Sequence, residues 1–206
     1  MATVLTFNLP KGWHKNEMPN VLQPMSDPKF SVQEFLNQPT RWDQLIAADL
    51  SGEIQAMLAE KVDTIPEMRR FLAIKGYREL HQRLEAAAQG KAGEEALRAV
   101  AFAMRAYAHD RPGLSAATFR NPIVDSPEWR REGEKLGRYV LGILAGVGLT
   151  GHAAIHALRI LRALVRGFVF HEMALSFLEP LDYDDTYGIA VDVYIRGLSA
   201  LQTGTI

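Results

Sequence analysis

Two pairs of residues are the first candidates for chemistry: one pair of histidines, and one histidine next to a glutamate. His152 and His156 are four residues apart in a segment with helical periodicity, a spacing at which two imidazoles can share a metal ion. No third ligand lies nearby in the sequence, so we interpret them as surface or interface histidines and expect no metal site. His171 and Glu172 could form a buried acid–base pair, but a hydrogen bond that orients a helix end explains them equally well.

Acidic, glycine-rich and serine motifs also have structural explanations. Asp182, Asp184 and Asp185 lack the glycine and the later glutamate of a calcium loop, so we expect them at the start of a helix. The glycines of LGILAGVGLTG lack the Lys-Ser or Lys-Thr ending of a phosphate-binding loop and favour helix packing. No serine lies in a nucleophile-elbow context. We therefore predict a protein that is not an enzyme and needs no cofactor.

Composition places these residues in an ordinary globular protein. The chain has 206 residues, of which 48% are hydrophobic and 23% charged, a balance that excludes collagen-like and fully disordered classes. With no cysteine, it has neither disulfides nor thiolate zinc sites, and the net charge of -1 gives no general attraction to nucleic acid. No apolar run reaches the ~18 residues of a membrane span, so we expect a cytoplasmic protein with no membrane partner.

The first part of the chain differs from the rest. Prolines recur through the first forty residues and interrupt any long helix, and carboxylates outnumber basic residues up to position 63. We predict an irregular, Pro-rich segment over residues 1–63. Within it, residues 40–62 have the pattern of a degenerate helix-turn-helix, with Ser51-Gly52 as the break between two short helices.

From residue 64 to residue 206 the pattern predicts one all-α domain. Thr64 and Glu67 form a capping box for a helix that extends to about Ala88. Ser126 followed by Pro127 is the corresponding signal for a later helix. Further helices are expected at about residues 94–110, 150–177 and 182–201, with a short turn at 115–119. No segment has the alternating pattern of a strand.

The last two predicted helices are apolar on more than one face. A single neighbouring layer cannot cover such a wide arc, so we expect an isologous homodimer formed through these helices, with a central position in the monomer as the alternative. The candidate interface residues are Leu161, Leu164, Val165, Phe168, Val191 and Tyr194.

Three stretches within residues 65–201 resemble the C-terminal domain of TetR-type transcriptional regulators. They are AYAHDRPGL at a helix end, GLTGHAAIHALR with the later RGFVFHE, and the acidic entry EPLDYDDTY to the last helix. The resemblance implies a helical bundle that binds a small ligand among its central helices and dimerises through its last two. Arg162 and Arg166 depart from the Trp and His that the most similar subgroup usually has before its Gly-Phe pair.

The resemblance is weaker in the part that would bind DNA. The candidate DNA contacts are Thr40, Gln55 and Lys61, but the predicted recognition helix over residues 53–62 carries more acids than bases, which phosphates repel. Both outcomes stay open at this point. One is a TetR-like repressor that binds DNA as a dimer and is released by a small apolar ligand. The other is a dimeric small-molecule-binding module that has lost DNA binding.

Aromatic and methionine residues on the central helices are the candidate ligand contacts. These types suit an apolar small molecule, although core packing uses the same residues. The candidates are Phe102, Met104, Tyr107, Phe119, Trp129 and Tyr139.

Overall fold

The computed structural model describes residues 40–59, 61–62, 64–119, 126–177 and 181–202, and the regular structure in those ranges is entirely helical. The all-α prediction is confirmed there. The helices are α1 (Arg41–Ala59), α2 (Ile65–Ala88), α3 (Gly93–Asp110), α4 (Pro112–Thr118), α5 (Pro127–Ala145), α6 (Gly151–Met173) and α7 (Tyr183–Gln202). None of them is long and apolar enough to cross a membrane.

The predicted helix starts are present. Thr64 is the N-cap of α2, where its hydroxyl accepts from the backbone N–H of Glu67 at 3.4 Å and donates to the Glu67 carboxylate at 2.6 Å. Ser126 caps α5 by accepting from the N–H of Trp129 at 3.3 Å. Each cap satisfies an N–H that the first turn of a helix leaves unpaired. These two positions therefore fix where α2 and α5 begin.

The break predicted at Ser51-Gly52 is absent, and this interpretation was wrong. One helix passes through both residues, so the two short helices predicted on either side of them are a single helix. The Ser51 hydroxyl donates to the carbonyl of Ala48 at 2.9 Å, which a helix accommodates. Asp49 and Glu53, on either side of the dipeptide, both bind Arg111. This tertiary attachment outweighs the weak local preference for a turn.

Two further boundaries differ from the sequence prediction. Most of the turn expected at residues 115–119 is part of α4, which begins already at Pro112 because proline suits the first turn of a helix, and Phe119 caps its end. α6 ends at Met173 rather than near residue 177. Leu175 has a φ of 53°, and the N–H of Ser176 donates to the carbonyl of His171 at 3.0 Å. This Schellman-type ending stops the helix at Met173.

The seven helices form one bundle around a continuous apolar core. α2 packs against α3, α4 and α5, and α6 packs against α3, α5 and α7. α1 lies mainly on α4, with smaller contacts to α2 and α6. A Cβ at Gly76 would lie 2.7 Å from the carbonyl oxygen of Leu114, so only glycine allows α2 and α4 to come this close. This close contact fixes the position of α4 against α2.

Candidate functional site

A partly enclosed cavity of about 290 Å³ lies between six of the helices, α1 to α6. α2, α3 and α6 supply mostly aliphatic and aromatic walls, while α1 contributes Trp42 and α5 contributes a longer stretch from Trp129 to Val140. The volume is at the lower end of the range for small-molecule sites. A mostly apolar cavity of this kind suits a ligand with an apolar body.

Glycines and caps in α5 shape one wall of this cavity. Because Ser126 fixes the start of α5, Trp129 falls in its first turn and is only 2% exposed. A Cβ at Gly133 would be 3.4 Å from the ring of Tyr77, which is ordinary van der Waals contact. Gly137 also lines the cavity, and a Cβ there would meet no atom within 4 Å. The space in front of Gly137 is therefore open.

Two aromatic side chains bring polar groups to the cavity wall. The Tyr77 hydroxyl donates to the carbonyl of Thr118 at 2.7 Å. The buried Nε1–H of Trp129 makes no hydrogen bond with any described residue, although it interacts with the Tyr77 hydroxyl closely enough to oppose the rise of that group's pKa.

Charged residues also line the cavity. Arg130, Arg162 and Arg166 supply three guanidinium groups, and Glu134 supplies one carboxylate. Burial raises the pKa of Tyr77, and the positive charge of Arg162 acts in the opposite direction. The guanidinium carbon of Arg166 lies 4.6 Å from the centre of the Phe119 ring, at a cation–π distance. The charged lining is therefore predominantly basic.

The structure brings together four of the six predicted ligand contacts. Met104, Tyr107, Phe119 and Trp129 all line the cavity. Phe102 lies elsewhere, with its ring 5.1 Å from that of Tyr187. Tyr139 also does not line the cavity; its hydroxyl donates to the carbonyl of Leu84 at 3.3 Å.

The sequence prediction missed several lining residues. Trp42 falls within residues 1–63, which were expected to be irregular, and Tyr77 is not among the six candidate ligand contacts. Arg162 and Arg166 were noted only as departures from a familiar motif, yet both reach the cavity. The signal available in the sequence was that Arg162 and Arg166 are four residues apart and therefore lie on one face of the helix.

The predicted interface residues lie mostly inside the chain. Leu161, Val165, Val191 and Tyr194 are buried, whereas Leu164 and Phe168 are partly buried against the core. The Tyr194 hydroxyl donates to the carbonyl of Ala157 at 2.9 Å and so joins α7 to α6. The apolar residues that these helices expose are others, among them Ile160, Ile189 and Val193.

The candidate DNA contacts lie along α1 and just beyond it. Thr40 caps this helix, because its hydroxyl accepts from the N–H of Asp43 at 3.2 Å. Gln55 is exposed near the other end, about 22 Å further along at 1.5 Å per residue. Lys61 is exposed beyond the end of the helix, with a φ of 64°. The three residues do not form a cluster.

The remaining candidates have structural partners or lie on the surface. His152 and His156 are exposed on α6, and the described residues contain no group of three or more possible metal ligands. Glu172 pairs not with His171 but with His109, at 2.7 Å, and with Arg105. The Asp182 carboxylate accepts from the N–H groups of Asp184 and Asp185, at 2.7 and 3.0 Å, as expected for acids at a helix start.

Comparison with known proteins agrees with this architecture. The sequence model of the family "Tetracyclin repressor-like, C-terminal domain" matches residues 97–194, from within α3 to within α7. An uncharacterized HTH-type transcriptional regulator of Mycobacterium tuberculosis is 27% identical over 168 residues, which are 80% of this chain and 75% of that protein.

A solved structure shows the same fold. It is a protein with unknown function from Rhodococcus sp. RHA1, with a TM-score of 0.61 and 17% sequence identity, and the match covers 81% of this chain and 98% of the other. At this identity the likeness concerns the fold alone. Residues 97–194 therefore match the C-terminal domain of Tetracyclin repressor-like proteins, and most of the chain is similar to an HTH-type transcriptional regulator.

Proposed function

We propose that this chain acts in the cytoplasm as a homodimeric, ligand-responsive TetR-type repressor, and that a small molecule in the cavity releases it from DNA. The observation that carries the proposal is the cavity of about 290 Å³, which is lined by six helices including α1. Nothing in the described site favours catalysis, so we propose binding rather than an enzymatic reaction.

Contact between the cavity and α1 supports the regulatory part. Trp42 lines the cavity from α1, and α1 is the described helix nearest in sequence to the N-terminal segment. A ligand that displaces the Trp42 ring would shift the equilibrium position of α1. Such coupling requires that the ligand bind one position of α1 more tightly than the other.

Exposed apolar residues on α7 support the dimeric part. Ile189 and Val193 are 64% and 66% exposed and lie on one face of α7 with Gly197. A Cβ at Gly197 would meet no atom of the chain within 4 Å, so a second helix could approach closely there. A second copy of α6 and α7 would cover this face and give a four-helix contact.

The dimer can be tested by sedimentation velocity at micromolar concentration. Val193→Glu should give a monomer, because a carboxylate would be buried in the contact. Ile65→Glu is the matched control, since Ile65 is 64% exposed but lies at the start of α2. A monomeric unmodified chain, or a dimer that Val193→Glu leaves intact, would contradict this part of the proposal.

Ligand binding can be tested with a pair of glycine variants in α5. Gly137→Leu should fill the cavity and abolish the change in tryptophan fluorescence that a bound apolar probe such as 1-decanol produces. Gly142→Leu is the control: Gly142 is in the same helix and has the same open surroundings, but it does not line the cavity. A Trp13→Phe background leaves Trp42 and Trp129 as the only tryptophans, and both line the cavity. Equal binding by both glycine variants would place the probe elsewhere.

The acidic character of α1 favours a second candidate function, a dimeric small-molecule-binding module without DNA affinity. α1 carries Asp43, Asp49 and Glu53 against a single basic residue, Arg41. The deciding experiment compares DNA from upstream of the gene with a scrambled duplex, at low and physiological salt. Tight, sequence-dependent binding with a salt slope supports the regulator. Weak binding that is equal on both duplexes supports the module.

A further inference from the structure

We propose that the ligand is an anionic amphiphile, whose apolar chain fills the cavity and whose carboxylate binds Arg162 and Arg166. The inference rests on the ligand-binding role proposed above and names the chemical class. It replaces the purely apolar ligand that the sequence suggested.

The two arginines lie together on one side of α6, at the edge of the cavity. Arg162 and Arg166 are one turn apart on α6 and both line the cavity. Both are exposed, so their guanidinium groups lie at its rim rather than at its apolar depth. Residues four apart on a helix point to the same side, so one carboxylate can contact both groups.

Neither of the two arginines is neutralised by a carboxylate of the described residues. Among the described residues, no carboxylate forms an ion pair with either Arg162 or Arg166. Arg105 and Arg111, in contrast, each bind carboxylates of the chain. Glu134, the acid in the cavity lining, lies 3.6 Å from Arg138 in a pair within α5. The described part of the chain therefore supplies no carboxylate for the two α6 arginines, and their charge is available to another anion.

The stacking of Arg166 on Phe119 is the third observation. The Arg166 guanidinium lies over the face of Phe119, an arrangement that leaves the N–H groups at its edge available for a carboxylate. This arrangement suits a ligand that carries a carboxylate as well as hydrocarbon.

The test compares three probes of one chain length: decanoate, 1-decanol and decylamine. Binding is measured by tryptophan fluorescence of the full chain in the Trp13→Phe background, below the critical micelle concentration. We expect decanoate to bind about 10-fold more tightly than decanol at low salt, as one net charge-assisted hydrogen bond allows. Added salt should reduce this preference, and decylamine should bind most weakly.

Variants then assign the preference to the two arginines. Arg162→Gln with Arg166→Gln should remove the preference for decanoate while leaving the affinity for decanol unchanged. Arg70→Gln is the control, because Arg70 is exposed on α2 and lines no described cavity. Thermal unfolding of each variant verifies that the fold is retained.

The outcomes separate this inference from the proposed function. If decanol and decanoate bind equally, or if the double variant keeps the preference, the inference is wrong although a ligand-binding cavity remains. If none of the probes binds to the folded protein in a way that Gly137→Leu prevents, the ligand-binding role fails as well. Loss of the preference in the double variant alone supports the inference.

Discussion

Two arginines near the end of α3 connect opposite sides of the bundle in different ways. Arg105 joins α3 to α6 and α7 by binding Glu172, at 2.6 and 3.0 Å, and Asp184, at 2.7 Å. Arg111 joins the same end of α3 to α1 and α2 by binding Asp49, Glu53 and Glu79. The two side chains are 11% and 24% exposed, respectively.

Both arginines bind carboxylates, but only one of them is shielded from water by aromatic rings. The Arg105 guanidinium lies 5.6 Å and 4.9 Å from the ring centres of Phe168 and Tyr187, which shield it from water. No described aromatic ring covers Arg111 in this way. Water and salt weaken exposed ion pairs more than shielded ones. The difference indicates that α1 can be loosened while α6 and α7 keep their positions.

Removal of Glu172 should have the largest effect. Glu172→Ala leaves Arg105 buried with only Asp184, whose side chain is 82% exposed, so we expect a loss of about 3–5 kcal/mol in the free energy of unfolding. Urea denaturation followed by circular dichroism measures this loss. Asp184→Ala is the control and should cost less than about 1 kcal/mol. Equal losses of unfolding free energy in the two variants would show that the shielded Arg105–Glu172 pair stabilises the fold no more than the exposed Arg105–Asp184 pair.

Removal of Arg111 should have a smaller and more local effect. Arg111→Met leaves Asp49 and Glu53 without their shared cation, and we expect a loss of about 1–3 kcal/mol. Amide hydrogen exchange should accelerate in α1 and stay slow in α6. Arg138→Met removes an exposed arginine whose described partner is Glu134, and should change neither. Uniform acceleration across the bundle would contradict the independent loosening of α1.

Acid should weaken both connections in a narrow pH range. Burial alone would raise the pKa of Glu172 and of Glu53, but hydrogen bonds from Arg105 and His109, and from Lys75 and Arg111, lower both pKa values below the ordinary range. A lowered pKa in the folded state stabilises the fold above the unfolded pKa of about 4.3. That contribution disappears as the pH falls through the folded pKa. Urea midpoints between pH 7 and pH 3 should therefore fall below about pH 4.3, and should fall less in Glu172→Gln.

Local signals in the sequence were sufficient for the boundaries that depend on adjacent residues. Thr64 and Ser126 identified the starts of α2 and α5 because a cap binds an N–H only three residues away. The continuity of α1 was not predictable in this way, since Arg111 holds it from 62 residues further along the chain.

The candidate site was only partly predictable for a related reason. Residue type and position on a central helix identified Met104 and Tyr107 as candidate ligand contacts, and both line the cavity. α6 and α7 are apolar on more than one side, and a pattern alone does not tell which side the chain covers. Val191 and Tyr194 therefore seemed available for an interface, although they are buried within the chain.

The smallest expected effect tests the continuity of α1 itself. Gly52 lies inside this helix with no atom near the position of a Cβ, so Gly52→Ala should stabilise the protein by about 0.5–1 kcal/mol through helix propensity. Gly90 has equally open surroundings but a φ of 74°, so Gly90→Ala should destabilise it by about 1 kcal/mol. Only the backbone conformation distinguishes the two sites. A loss of stability in Gly52→Ala, measured by urea denaturation, would mean that residues 51–52 form a turn in solution and that α1 is two helices.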